Sequence, residues 1–300
     1  MRVTVTGATG RIGSHLVAAL RARGDDVTVL SRNPGRAGER LGVDAVAWDP
    51  QREPAPVTAL AGRDGVVHLA GEDVGQRWTS AAKQRILGSR EQGTRNLVAG
   101  LLAAQPRPAA LVSASGSGFY GARGDERVDE REPPGRDWLA EVCVRWEREA
   151  GAAAAATRVV TVRTGITLDA KGGALARMLP PFRAGIGGPI GGGRQYVPWI
   201  HLDDLVGIYL AALDNPRFEG PINASAPEPV TNREFSRALG RAIKRPALAP
   251  VPGVAVRLLY GEMSQIVLEG VRMVPGRAAD LGYEFRYVDL DEALRSTLGR

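Results

Sequence analysis

The chain has 300 residues, 44% hydrophobic and 24% charged, enough to bury a substantial core in one large domain or one and a half. A single cysteine excludes an internal disulfide, and no apolar run approaches the roughly 18 residues of a membrane-spanning helix, so a cytoplasmic location is the default expectation. The net charge of +6 argues only weakly for nucleic acid. Lys83, Lys171 and Lys244 are the only lysines, the arginines are scattered, and no basic run interleaves with aromatics, so neither nucleic acid nor membrane is expected as a partner.

Residues 2–6, "RVTVT", predict a short β-branched strand, followed by a glycine turn and an amphipathic helix, "RIGSHLVAALRARG". Further strands are expected at 26–32, 44–49, 64–71, 109–115 and 158–165, with helical patterns at about 79–104 and 136–149. Strands that alternate with helices and read as near-continuous apolar runs indicate a parallel sheet covered on both faces. The predicted fold is α/β: a Rossmann-type, doubly wound parallel sheet with a smaller C-terminal mixed substrate or cap domain. Residues 1–165, joined by part of 196–225, are expected to form the first unit, and residues 166–300 a substrate-side loop and the cap. That loop is dense in glycine and proline and carries a short helix. Asp203 is the expected N-cap of the helix after "WIH", Thr231 and Glu234 have capping-box spacing, and "YVDLDEALRSTLG" predicts the last helix. The alanine run at 152–156 reads as a helix end.

The most informative local motif is "TGATGRIG". Gly7 permits a tight turn, Gly10 lets the backbone approach a pyrophosphate, and Gly13 lets the helix pack closely on the strand. The bare helix start adds N–H donors and the positive end of a dipole, so Thr9, Arg11 and Ile12 join the expected dinucleotide-binding set. At the end of the second strand stand Ser31 and Arg32, with no carboxylate until Glu39. A hydroxyl and a guanidinium suit a 2′-phosphate better than a ribose diol, which favours NADP(H) over NAD(H).

With "HLAGEDVGQRWT", "SASGSGFYG", "MLPPFRAGIGGPIGGGRQYVPWIHLDDL" and "VPGVAVRLLYGEMSQIVLEG" added, the whole chain resembles the atypical extended short-chain dehydrogenases/reductases, in particular the nucleoside-diphosphate-sugar epimerase-like group. The resemblance implies that Asp49 lies near the adenine, that Leu69, Ala70 and Gly71 back the adenosine half, and that Thr164, Gly165 and Ile166 lie near the nicotinamide. Asp49 can equally start a turn, and His68 can be a satisfied core histidine. The resemblance also implies a serine after the fifth strand, here Ser115, and a tyrosine and lysine four residues apart on the next helix. Aligned on Glu147, those two positions hold Leu139 and Cys143, so the usual acid/base pair is missing. Cys143 then reads as a packing residue that shares an inward face with Leu139 and Trp146, with no histidine nearby to activate it. Tyr120 is the nearest phenol that could replace the lost one; its alternative is a packing role. Ser113 and Ser117 could exchange roles with Ser115.

Glu72, Arg77, Lys83 and Arg90, and beyond the glycine loop Arg194, Tyr196 and His201, are candidate substrate contacts; no metal-ligand spacing occurs. Two functions follow. One is an NADP(H)-dependent oxidoreductase or sugar-nucleotide epimerase on a small polar substrate, as a monomer or homodimer. The other is a non-catalytic NADP(H)-binding sensor.

Overall fold

The computed structural model describes residues 1–247 and 249–299. The first strand β1 (Arg2–Thr6) leads through the glycine turn into α1 (Arg11–Ala22), and β2 (Asp26–Ser31) into α2 (Pro34–Leu41). The sequence gives no period for α2, which contains a proline and two glycines. The helix forms because Asn33 caps it, Pro34 occupies its first turn, Gly42 ends it at φ +63°, and Ala37 and Leu41 are buried. β3 (Asp44–Ala47), β4 (Gly65–His68), α3 (Ser80–Ala103), β5 (Ala110–Gly116), β6 (Arg127–Val128), α4 (Trp138–Gly151) and β7 (Arg158–Thr164) follow. Asp137 caps α4, accepting from the amides of Leu139 at 2.9 Å and Ala140 at 3.0 Å. The alanine run continues past Gly151 as turns.

The remaining elements are β8 (Ile166–Leu168), α5 (Gly173–Arg183), β9 (Tyr196–Val197), β10 (Trp199–His201), α6 (Leu202–Asp214), β11 (Gly220–Ala224), β12 (Val230–Thr231) and α7 (Asn232–Ile243). They end with α8 (Gly253–Tyr260), α9 (Gln265–Leu268), β13 (Arg272–Met273), α10 (Gly276–Asp280) and α11 (Leu290–Thr297). Thr231 and Glu234 form the expected capping box of α7. The N-cap of α6 is His201 rather than Asp203: its ring accepts from the Asp203 amide at 3.1 Å.

Seven strands form one sheet in the order β11-β7-β5-β4-β1-β2-β3, all parallel. The alternation of side chains sends Val3, Val5, Val27, Val29, Val67 and Val112 to one face, packed with Leu16, Leu20, Leu205 and Ile208 of α1 and α6. Leu30, Val66, Leu111 and Val159 face the other side, against Leu97 and Leu101 of α3. This is the expected doubly wound arrangement. Because every strand is parallel, Gly7, Ser31, Leu69, Gly116, Thr164 and Ser225 all lie just beyond or at the same, carboxyl edge.

A second apolar cluster joins Leu168, Leu175, Leu179 and Phe182 to Trp199, Phe235, Leu239, Leu290 and Leu294. The C-terminal segment also reaches back to the sheet domain: β13 pairs in parallel with β6, and Met263 and Ile266 pack with Trp78, Ile86 and Trp138.

Candidate functional site

The glycine turn after β1 is built so that backbone, not side chain, lines it. Gly7 adopts φ +66°, and a Cβ there would lie 2.6 Å from the Leu69 carbonyl carbon. A Cβ on Gly13 would collide with the Gly7 carbonyl oxygen and sit 2.7 Å from the Ala8 Cα. α1 starts at Gly10 without a side-chain cap and without an acidic residue in its first turn. The amides of Arg11, Ile12 and Gly13 find no acceptor among the described residues, so the helix start presents N–H donors and positive dipole to whatever lies over the turn. A dinucleotide pyrophosphate fits this cradle. The Arg11 side chain is turned away, gripping the Asp169 carboxylate at 2.5 and 2.8 Å and so joining the turn to the segment after β8. That pairing holds the Asp169 carboxyl below its usual pKa against the opposing effect of its burial.

At the end of β2, Ser31 accepts from the Asn33 amide at 3.1 Å, and Arg32 extends into solvent with no partner among the described residues. No carboxylate stands in this turn, which leaves Arg32 free to meet an anion. Asp49 follows β3 as a turn residue: it accepts from the Gln51 amide at 3.1 Å and pairs with Arg52 at 3.3 Å. On the far side, Gly165 is pressed against the Pro198 carbonyl and bonds Ala224 at 2.9 Å, while Ile166 bonds Pro198 at 2.6 Å. The Thr164–Ile166 backbone is therefore fixed beside the ends of β5 and β11.

Ser115 stands at the carboxyl edge of β5 and donates its hydroxyl proton to Glu147 of α4 at 2.7 Å. Glu147 is held by Arg163 of β7 through two bonds of 2.9 and 2.8 Å. Arg163 donates on to the Tyr120 hydroxyl at 2.9 Å, and that hydroxyl donates to Asn223 at 2.7 Å. The Asn223 main-chain N–H donates to Glu130 at 2.8 Å. Sequence reading missed this chain of contacts, apart from Ser115, Tyr120 and the use of Glu147 as a marker. The one available signal was a charged residue, Arg163, inside the apolar strand "RVVTVRT".

The network corrects one expectation. Tyr120 is fully buried, both sides of its hydroxyl are engaged, and burial pushes its pKa up to about 12, so it cannot replace the missing acid/base phenol. Ser113 is likewise fully buried; Ser117 is half-buried and has no partner among the described residues. His68 is a core residue, bonded to Thr6 at 2.7 Å and Thr94 at 3.0 Å, with burial lowering its pKa to about 4. Leu139 packs with Trp78, Trp138 and Met263, and Cys143 is buried beside Phe119 and Tyr120. Burial and the nearby Glu147 carboxylate push the thiol pKa up to about 12. The thiolate a nucleophile would need is thus suppressed.

The expected substrate contacts divide. His201 is buried, caps α6 and stacks on Tyr287 at 3.8 Å between ring centroids, so it is structural rather than a ligand contact. Lys83 is ion-paired with Glu262 and lies 5.1 Å over the Trp138 ring, which ties α3 to the C-terminal segment. Arg77 donates to the Leu258 carbonyl at 3.3 Å. Glu72 accepts from Gln76 at 3.2 Å. Arg194 is exposed without a partner among the described residues, Tyr196 carries Arg272 over its ring at 5.0 Å, and Arg90 is part-buried against Gly71 and Trp146. The segment 253–270 thus touches the loop before α3 and, through Gln195 to Val267 at 2.9 Å, the glycine-rich loop.

A family model described as the NAD dependent epimerase/dehydratase family matches residues 3–224, and one described as a domain of unknown function, DUF1731, matches residues 251–297. The chain is 41% identical to the chloroplastic homolog of epimerase family protein SDR39U1 from Arabidopsis thaliana, covering 99% of this chain and 87% of that one. It is 35% identical to epimerase family protein YfhF of Bacillus subtilis, covering 98% and 97%. The crystal structure of human epimerase family protein SDR39U1 with NADPH superposes with a TM-score of 0.91 at 36% identity over all of both chains. Among the described residues, no helix is long and apolar enough to cross a membrane.

Proposed function

Because the chain belongs to the NAD dependent epimerase/dehydratase family, we propose that it is an NADP(H)-dependent oxidoreductase or sugar-nucleotide epimerase acting on a small polar substrate. The observation that carries this reading is the pairing of a side-chain-free cradle at Gly7, Gly10 and Gly13 with an unpartnered Arg32 where a carboxylate would select NAD(H). The NADPH in the human relative supports it. In this reading residues 1–165, with the strand at 220–224, hold the cofactor, and the rest caps the substrate side.

Bound in the cradle, NADP(H) would supply the hydride donor or acceptor. The chain's own residues do the remainder. First-turn amides of α1 hold the pyrophosphate, Arg32 and Ser31 hold the 2′-phosphate, and Asp49 and the 69–71 backbone flank the adenosine. Thr164–Ile166 flank the nicotinamide. Ser115 has its proton directed into Glu147, so its lone pairs remain to accept from a substrate hydroxyl. That orients the substrate without a phenol at position 139 or an ammonium at 143. A second reading rests on the same two positions: with Leu139 and Cys143 packed in apolar clusters, the protein would hold NADP(H) as a sensor without turnover.

Arg32→Ala tests the cofactor assignment. Loss of charge-assisted bonds costs roughly 1.5–3 kcal/mol, so the preference for NADPH over NADH should fall about ten- to a hundredfold. Equal wild-type affinity for the two would end the assignment. Native mass spectrometry of protein purified from cells separates the two functions: a small polar molecule held together with the cofactor favours the enzyme, cofactor alone the sensor.

A further inference from the structure

Two arginines stand side by side, without a carboxylate, on the short ladder that joins the C-terminal segment to the sheet domain. β6 and β13 pair in parallel, with Arg127 opposite Arg272 and Val128 opposite Met273. Val128 and Met273 are buried together with Val271, Phe119 and Tyr120, so alternation sends Arg127 and Arg272 to the other face. There the Arg272 guanidinium lies 5.0 Å over the Tyr196 ring. Gly270, at φ +53°, sets this approach: a Cβ there would collide with the Tyr196 carbonyl oxygen. The ladder is anchored to the end of β11. The Ser225 hydroxyl donates to the Met273 carbonyl at 3.1 Å, and the Asn223 side-chain amide donates to Val274 at 2.9 Å.

The charge on this face is uncompensated. Neither arginine side chain has a hydrogen-bond or ion-pair partner among the described residues. Arg127 is exposed, whereas Arg272 is half-buried and its Nε is shut off from solvent with nothing to donate to. Arg163, by contrast, is held by both oxygens of Glu147. Like charges opposite one another on paired strands repel, and a shielded donor left unbonded is costly. Nη1 and Nη2 remain to Arg272, an edge that takes both oxygens of a phosphate or carboxylate. The ladder also lies far from the cradle. β11 is four places from β1 in the sheet, about 19 Å at the usual strand spacing, so an anion here is not the pyrophosphate over Gly10.

We propose that Arg127 and Arg272 form a subsite for an oxyanion, phosphate or carboxylate, of the substrate. The small polar substrate is then an anion, gripped on the C-terminal side of the crevice. The inference rests on the reading that the glycine cradle holds NADP(H) and that a substrate binds beside it.

The test titrates inorganic pyrophosphate and malonate into the isotope-labelled full chain saturated with NADPH, following the NMR amide signals of Arg127, Val128, Arg272 and Met273. Saturable shifts are expected, and the tighter of the two probes tells phosphate from carboxylate. Arg272→Gln should raise the Kd of that probe at least about tenfold and Arg127→Gln by a smaller factor, with NADPH affinity unchanged in both. Arg272→Lys keeps the charge without the planar edge; it should fall between wild type and Arg272→Gln, and it gives the comparison if the glutamine variant does not fold. No saturable shift at these amides, a wild-type Kd in either folded glutamine variant, or a loss of NADPH affinity instead overturns the proposal. Binding of 2′,5′-ADP, which reaches only the cradle and Arg32, reports the cofactor reading by itself. If that reading fails, the same titrations without NADPH still read the two arginines.

Discussion

Gly7→Ala is expected to damage both the fold and the cradle, and Gly24→Ala supplies the control that separates the causes. Both glycines are left-handed, with φ +66° and φ +83°. Both alanines therefore carry the backbone penalty of about 1–2 kcal/mol, partly offset by the ~0.4–1 kcal/mol that alanine takes from the unfolded chain's entropy. They differ in space. Nothing lies within 4 Å of a Cβ at Gly24, whereas one at Gly7 meets Leu69 C at 2.6 Å and Ala70 N at 2.7 Å. Those are main-chain atoms of the segment after β4, so no side chain can swing aside, and overpacking of this kind adds about 1–3 kcal/mol. Urea unfolding should thus place Gly7→Ala about 1–3 kcal/mol below Gly24→Ala in stability. Because the same shift parts the turn from the 69–71 backbone, NADPH affinity should fall at least tenfold in Gly7→Ala and stay unchanged in Gly24→Ala. Equal stabilities of the two variants, or retained NADPH binding by Gly7→Ala, would refute the close-approach argument.

Cys143 should resist alkylation in the folded protein, since it is 4% exposed and its thiol pKa is pushed up to about 12. Cys143→Ala should cost about 1–2 kcal/mol of stability, measured by denaturant unfolding, and leave NADPH affinity unchanged; rapid labelling blocked by NADPH would make the thiol part of the site. His68 predicts a pH dependence. Its pKa is lowered from 6.5 to about 4 in the fold, so the unfolded chain takes up the proton first. The stability His68 contributes is therefore complete above pH 6.5 and is lost as pH falls toward 4, by about 3 kcal/mol. Unfolding free energies at pH 7 and pH 4.5 should show this fall in the wild type and a smaller one in His68→Asn; identical falls would mean that other groups carry it.

The elements legible in the sequence are those whose signals are local. Apart from α2 and β6, the order of strands and helices through Thr164 follows from apolar runs and turn residues, and the cradle from three glycines whose spacing is itself the geometry. The place of Arg32 just beyond β2 was readable for the same reason, because a strand end fixes where the next side chain goes. Cys143 and Leu139 were readable as packing residues from their helical spacing with Trp146.

What the sequence left open depended on partners far along the chain. Tyr120 looks like a free phenol until Asn223, 103 residues away, and Arg163 close on its hydroxyl. His201 and Lys83 look like ligand groups until Tyr287 stacks on one and Glu262 pairs with the other. α2 carries poor helix formers and exists because Ala37 and Leu41 find the core. Local propensity and spacing act over a few residues and leave a period in the sequence. Pairing, burial and charge compensation are set by which distant segments the parallel sheet brings together, and they leave none.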